Sequence, residues 1–317
     1  MPTRVINQQI NTNDVAVMIE YVLLGDALVR ATPLILAGLA VAIAFRAGVL
    51  NIGAEGQLLV GAAASAAVSV SAAAIGIAVI PLALVAGAFA GALWAGIAAE
   101  LRRRFHVLEI ISTIMLNFIA LHMVSFMVRG PLQEPSRIYP QTESLPLAAQ
   151  LPIIAPGTRL HLGFLIAIAI ACVLAWVFRS TAAGFRIRAV GSSRSAAATA
   201  GMINVDRTTY RVFLISGSLA GLAGAVEVSG VTFALYENIS PGYGYTAIAV
   251  ALIAGLSPAR VIASGIFFGI LETGAGALQR DFGIPSSTAL VTEALLILLA
   301  IGLASIRGRA THPFAGR

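Results

Sequence analysis

The stretch of this chain best suited to bind a solute is a polar interruption between two apolar runs. It extends from Phe45 to Gln57 and contains three glycines together with Asn51, Glu55 and Gln57. Glycine frees the backbone from helical geometry, and a broken element at membrane depth is tolerated only where protein or a water-filled cavity surrounds it. Glu55 is therefore a candidate functional group, with Arg46 as its simplest partner. A tight turn between two helices is the alternative interpretation.

Other polar side chains lie inside or beside apolar runs. Asn117 could hydrogen-bond a ribose or a base, and Glu227 and Glu272 must face the interior or a polar partner because an ionised group in lipid is costly. Tyr243 and Tyr245 could stack on a planar base, or they could belong to the aromatic belt at a membrane interface. These residues complete a predicted substrate pathway of Asn51, Glu55, Gln57, Asn117, Glu227, Tyr243, Tyr245 and Glu272.

Several kinds of catalytic site are missing from the sequence. The chain has no lysine, so it cannot form a Walker A loop, whose lysine reaches the nucleotide phosphates. No His/Cys cluster has metal-ligand spacing, and no serine elbow has suitable partners. We therefore expect that this chain is not an enzyme, that it binds no cofactor or metal, and that any ATP-driven chemistry resides on another polypeptide.

The composition predicts a membrane protein. Of the 317 residues, 58% are hydrophobic and 11% are charged, whereas soluble domains average about 25% charged. The apolar runs lack the alternation of a barrel strand, which favours helices. The net charge of +6 comes from arginines clustered between apolar runs, as the positive-inside rule predicts, and no basic patch with interleaved aromatics indicates nucleic-acid binding. We predict an all-α, polytopic transmembrane helical bundle.

A span needs about 20 apolar residues, and by that measure the sequence contains about nine spans, within a range of 8–10. We also predict a broken or re-entrant element near residues 46–57. The predicted spans are 23–45 (or 32–45), 58–74, 77–99, 108–128, 161–178, 210–230, 247–256, 261–278 and 289–305.

The arginines orient these spans. The run Arg102 to Arg104, the loop at 180–210 and the C-terminus are predicted to be cytoplasmic, which leaves the proline-rich loop at 130–160 outside. The same count places the polar N-terminal segment, 1–16, outside. Residues 1–317 form a single transmembrane domain in this interpretation.

Three motifs carry a resemblance to a known family. The sequence NIGAEGQ at 51–57, STIMLN at 112–117 and GYGY at 242–245 resemble ABC-importer permeases of the nucleoside, simple-sugar and branched-chain amino-acid superfamily. The nucleoside branch, linked to basic membrane proteins, is the most similar. Family members usually carry a further hydrophobic helix before the segment that matches Thr32. Here only the interrupted run 15–29 is available, so that helix is expected to be missing, or amphipathic and peripheral.

The loop at 180–210 contains a second functional element. An Ala-rich segment, Ser195 to Ala200, closed by Gly201, predicts a short glycine-capped helix that suits docking into a groove of a soluble partner. The resemblance implies a coupling helix that receives the motion of an ATPase, although residues 193–195 depart from the family pattern. The alternative is that the loop at 180–210 is only a solvated, positively charged connection between two spans. The predicted coupling residues are Arg194, Ser195, Ala196, Ala197, Ala200 and Gly201.

The resemblance implies a permease subunit of an ABC importer in the bacterial cytoplasmic (inner) membrane, carrying a nucleoside or related sugar-like solute inward. The implied partners are ATPase subunits that bind ATP and Mg, a second homologous permease, more often in a heterodimer than a homodimer, and an external substrate-binding protein. Membrane lipid surrounds the assembly. A monosaccharide or branched-chain amino-acid permease is the nearest alternative. A stand-alone secondary transporter or channel is the rival class, and a membrane enzyme comes third.

Overall fold

A computed structural model describes residues 12–200 and 203–282, together with residues 291, 294, 295, 298 and 299. This part of the chain forms helices joined by short connections and one long loop, and its only β-pairing consists of two isolated bridges. The α-helices are α1 (Thr12–Arg46), α2 (Ala54–Ser71), α3 (Val79–Phe105), α4 (Glu109–Arg129), α5 (Gly163–Ser180), α6 (Ala182–Ser192), α7 (Arg194–Ala200), α8 (Val205–Glu227), α9 (Tyr243–Ile253) and α10 (Pro258–Phe282).

Six helical segments among the described residues are long and apolar enough to cross a membrane, which confirms the all-α polytopic bundle. Helix α2 is not one of the six, because Glu55 and Gln57 lower its hydropathy, and most of its residues are buried in protein. Helix α9 has only 11 residues. The predicted span 289–305 lies almost wholly outside the described residues. The six segments are Tyr21–Arg46, Ala74–Phe105, Glu109–Arg129, Gly163–Ser180, Val205–Thr232 and Pro258–Arg280.

The N-terminal part of the structure has no separate helix before the first span among the described residues, which agrees with the expectation that the additional helix is missing. Residues 15–29 instead run without a break into that span as part of α1. The helix is buried from Ala31 to Ala44, and it packs closely on α10, where a Cβ added at Gly269 would lie 2.3 Å from the carbonyl oxygen of Ala27. The small residues on both helices permit this approach, so α1 is a central element of the fold.

Helices α3 and α8 pack closely against each other. A Cβ added at Gly221 would lie 2.3 Å from the carbonyl oxygen of Gly87, and one at Gly217 would lie 2.3 Å from that of Gly91. Two pairs of glycines spaced four residues apart therefore bring the two backbones into contact.

Residues predicted to share one side of the membrane do lie at one end of the bundle, which we call the arginine-rich end. Arg102, at the end of α3, pairs with Glu109, at the start of α4, at 3.2 Å. Arg194 and Asp206 are close enough to Arg102 to interact with its charge. The short helices α6 and α7 thus reach the same end as the arginines of α3.

The loop at 130–160 packs against the opposite end. The amide of Leu151 donates to the carbonyl of Ser229 at 2.8 Å, and the amide of Thr142 donates to that of Leu235 at 2.8 Å. The hydroxyl of Tyr21 reaches the carbonyl of Pro156. The N-terminal part of α1 and this loop therefore share an end, as the orientation of the spans predicts.

A charged contact fastens α4 to the segment 233–242 at this end. Arg129 donates two hydrogen bonds to the carboxylate of Glu237, at 2.7 and 2.8 Å, and Ser125 donates a third. The guanidinium of Arg129 and the hydroxyl of Ser125 lower the pKa of Glu237 to about 2. The carboxylate therefore stays ionised at neutral pH and holds the segment that leads into α9.

Substituting Gly221 tests the close packing of α3 and α8. Gly221→Ala places a methyl group against backbone that cannot yield, and overpacking of this kind costs about 1–3 kcal/mol. We expect a lower thermal unfolding midpoint for the detergent-purified protein. Gly274→Ala is the matched control, because a Cβ there meets nothing within 4 Å. Equal midpoints for the two variants would contradict the packing described here.

Candidate translocation site

The predicted break is present between α1 and α2. Helix α1 ends at Arg46, α2 begins at Ala54, and the residues between them, 47–53, are not helical. We call 47–53 the break segment. It turns at Gly48, whose φ of +69° is a left-handed conformation that glycine adopts without strain. A broken or re-entrant element near residues 46–57 is therefore confirmed.

Asn51 is the centre of a buried amide network within the break segment. Its side-chain oxygen accepts from the amide of Gly53 at 2.9 Å and from the side chain of Gln57 at 3.1 Å. Its side-chain nitrogen donates to Gln57 and, at 2.9 Å, to the hydroxyl of Ser216 on α8. Ser216 in turn donates to the carbonyl of Ala40 on α1 at 2.7 Å. The network joins α1, α2 and α8 through the break segment.

Asn117 supports the break segment from α4. Its side-chain oxygen accepts from the amide of Gly56 at 2.9 Å, and its side-chain nitrogen donates to the carbonyl of Ile52 at 3.0 Å. The same nitrogen lies 3.3 Å from the hydroxyl of Tyr245 on α9. Asn117 thus satisfies backbone groups on both sides of the start of α2, where no helical partner is available.

Glu55 connects the first turns of two short helices. Its carboxylate accepts from the amide of Gly244, in the first turn of α9, at 2.7 Å, and it also bonds the hydroxyl of Ser240. The backbones approach so closely that a Cβ at Gly244 would lie 2.2 Å from the nitrogen of Glu55. The expected pairing with Arg46 is wrong. Because Glu55 also belongs to the first turn of α2, its charge lies at the positive ends of two helix dipoles.

Three predicted pathway residues remain: Glu227, Glu272 and Tyr243. They lie together with Arg30, which the sequence analysis did not select, and we call these four residues the carboxylate cluster. Arg30 on α1 pairs with Glu272 on α10 at 3.8 Å. Glu227 on α8 is 4% exposed and interacts electrostatically with both of them and with Tyr243. The cluster lies where α1, α8, α9 and α10 meet.

The structure therefore divides the eight predicted pathway residues into two sets. Asn51, Glu55, Gln57 and Asn117, with the hydroxyl of Tyr245, hydrogen-bond the protein itself, and their roles toward a substrate stay predictions. The sequence reasoning missed Ser216 and Ser240, which bind the amide of Asn51 and the carboxylate of Glu55. No sequence signal marks either serine, because each lies more than 160 residues along the chain from its partner.

The short helix predicted over Ser195 to Ala200 is present as α7, from Arg194 to Ala200, and its coupling role stays a prediction. The guanidinium of Arg194 donates to the carbonyl of Gly48 in the break segment at 2.8 Å. On α6, a Cβ at Gly191 would lie 2.0 Å from the carbonyl oxygen of Arg46, so the two backbones are in contact there. The predicted cap, Gly201, lies outside the described residues. Helices α6 and α7 thus contact the end of α1 and the break segment directly.

Comparison with known proteins identifies the family. Residues 23–301 match the family described as the permease component of branched-chain amino acid transport systems. The chain belongs to this family. It is therefore a permease component, and the six apolar helical segments in the described part of the chain indicate that it crosses the membrane several times. No solved structure matches the chain significantly.

Three relatives are similar over most of their length. The glucose ABC transporter permease protein TsgB13 of Haloferax volcanii is 40% identical over 88% of this chain and 76% of its own. The guanosine ABC transporter permease protein NupP of Bacillus subtilis is 40% identical over 89% and 82%. NupQ, a guanosine ABC transporter permease protein of the same organism, is 30% identical over 94% and 96%. These relatives lie in the nucleoside and sugar branch that the three motifs indicated.

Replacement of Asn117 tests its role in holding the break segment. Asn117→Leu keeps the number and branching of the side-chain heavy atoms but leaves the amide of Gly56 and the carbonyl of Ile52 without partners, at about 1–3 kcal/mol for each buried group. We expect a clear fall in the thermal unfolding midpoint. Met115→Leu, at an exposed site on the same helix, should leave the midpoint unchanged. If both variants unfold alike, Asn117 does not support the break segment.

Proposed function

We propose that this chain is the membrane-spanning subunit of an ABC importer that moves a nucleoside or a related sugar-like solute into the cell. The observation that carries the proposal is the 40% identity to permease proteins named for guanosine and for glucose. A nucleoside and a hexose share hydroxyl groups on a sugar ring, and carboxylates accept hydrogen bonds from such groups. The two glutamates of the carboxylate cluster therefore supply the hydrogen-bond acceptors that this substrate class needs.

The driving force comes from ATP hydrolysis on separate subunits, which hold ATP and Mg. A substrate-binding protein outside the membrane delivers the solute, and a bacterial cytoplasmic membrane holds the complex. Bacillus subtilis has two relatives of this chain, NupP and NupQ, both named as guanosine permease proteins. This supports a second, homologous permease beside this chain, in a heterodimer.

The coupling route in this proposal runs from α7 to the break segment. Motion of the ATPase reaches Arg194, whose guanidinium bonds the carbonyl of Gly48. The break segment is joined through Asn51 to α8, and Glu55 joins the start of α2 to the start of α9. Helix α9 also carries Tyr243, which belongs to the carboxylate cluster. A displacement of α7 that reaches α9 by this route therefore changes the surroundings of Glu227 and Glu272.

Competition for uptake tests the substrate class. Proteoliposomes containing the full transporter, with ATP inside and the substrate-binding protein outside, should accumulate labelled guanosine. Unlabelled nucleosides should compete, whereas leucine should not. Inhibition by glucose and not by nucleosides would indicate that the substrate is a monosaccharide. Inhibition by leucine alone would contradict the proposal that the substrate is a nucleoside or a sugar-like solute.

The same preparation separates the ABC importer from a secondary transporter. Uptake that continues without ATP, or with a partner ATPase whose Walker A lysine is replaced, would favour the rival class. Collapse of the proton gradient with an uncoupler should leave ATP-driven uptake unchanged, because the proposed energy source is hydrolysis on the partner subunits.

Substituting Arg194 tests the coupling route. Arg194→Gln removes the charged hydrogen bond to Gly48, so we expect ATPase activity in the assembled complex to persist while solute moved per ATP falls several-fold. Thr199→Ala is the control, because its hydroxyl bonds only within α7. An unchanged ratio of transport to hydrolysis in Arg194→Gln would remove Arg194 from the route.

A further inference from the structure

A basic cavity lies between α6 and the start of α8, and none of its lining residues is assigned to the pathway or to coupling. Its volume is about 400 Å³. Three arginines line it, Arg186 from α6 and Arg207 and Arg211 from α8, together with the apolar side chains of Phe185 and Ile203. The cavity thus combines a concentrated positive charge with an apolar wall.

Among the described residues, no carboxylate pairs with the three guanidinium groups. No acidic residue lines the cavity, and none of the three side chains makes an ion pair or hydrogen bond with any other residue in the described part of the chain. Like charges that share a small cavity repel one another. The cavity also includes Asn204, which caps α8 by accepting from the amide of Arg207 at 2.8 Å, so the positive end of a helix dipole adds to the same field.

The length of α8 places this cavity at the surface of the membrane. The apolar segment Val205–Thr232 has 28 residues, or about 42 Å of helix, whereas the hydrocarbon core is about 30 Å thick. The first turns, which carry Arg207 and Arg211, therefore project into the headgroup layer. Trp176, near the end of α5, is 61% exposed and Phe185 is 58% exposed, as expected for aromatic side chains at that boundary.

We propose that this cavity binds the phosphodiester headgroup of an anionic phospholipid. The planar guanidinium groups hold the phosphate through paired hydrogen bonds, and Phe185 and Ile203 pack against the glycerol and the upper acyl chain. A positive-inside bias requires only that arginines lie on this side of the membrane. It does not require three arginines to line one cavity that also has an apolar wall. A binding site for a lipid headgroup does require that arrangement.

The test compares lipid retained by purified protein. The full chain is placed in nanodiscs of phosphatidylcholine with one-fifth phosphatidylglycerol, and the bound lipids are counted by native mass spectrometry. The wild type should retain phosphatidylglycerol well above its bulk share. Each basic group near a membrane contributes roughly fivefold to the attraction of an anionic lipid. The triple variant Arg186→Gln/Arg207→Gln/Arg211→Gln should therefore lose at least about tenfold of this preference.

A charge-matched control makes the result specific to the cavity. The triple variant Arg104→Gln/Arg179→Gln/Arg188→Gln removes the same charge from the arginine-rich end without touching the cavity lining, and it should retain the wild-type preference. An equal loss in both triple variants would overturn the site. If the first triple variant does not fold, Arg207→Gln/Arg211→Gln is measured against Arg104→Gln/Arg179→Gln with the same criterion.

Two further measurements test free phosphate and the partner ATPase as alternative ligands of the cavity. Inorganic phosphate at millimolar concentration should not displace phosphatidylglycerol from the wild type, and displacement would make the site one for free phosphate. The partner ATPase should bind both triple variants equally. If only the cavity variant loses the ATPase while its lipid preference is unchanged, the cavity is a protein interface and the lipid assignment is wrong.

Discussion

An unwound backbone inside an apolar bundle must take its hydrogen bonds from its own protein, because lipid provides none. In this chain that requirement falls on the break segment, where α1 stops and α2 has not yet begun. Asn51 and Asn117 meet it with amide groups that both donate and accept. The surrounding helices α4 and α8 are held in place because the side chains that complete these bonds lie on them.

Glu55 provides a hydrogen-bond acceptor for the first turn of a second short helix, α9. A carboxylate in low dielectric is costly unless hydrogen bonds and nearby positive charge compensate for it. Here the compensation comes from the amide of Gly244 and the hydroxyl of Ser240. Helices α2 and α9 consequently begin beside each other inside the bundle.

The position of the break segment also links the interior to the arginine-rich end. Helix α7 bonds its carbonyl at Gly48, and α6 contacts the last carbonyl of α1. In contrast, the opposite end is closed by the long loop and by the ion pair between Arg129 and Glu237. The two ends therefore differ in construction, with two short helices at one end and a loop held by hydrogen bonds and an ion pair at the other.

The sequence by itself determined the membrane-spanning helical class, the two ends of the bundle, the break near residues 46–57 and the short helix at 195–200. Each depends on local composition, because hydropathy, glycine and clustered arginine act over a few residues. Only the tertiary structure decided that α1 is continuous, that Glu55 meets Gly244 instead of Arg46, and that Ser216 completes the network of Asn51. Those partners lie more than 160 residues apart along the chain. Their pairing follows from how the helices pack, which a pattern of neighbouring residues does not encode.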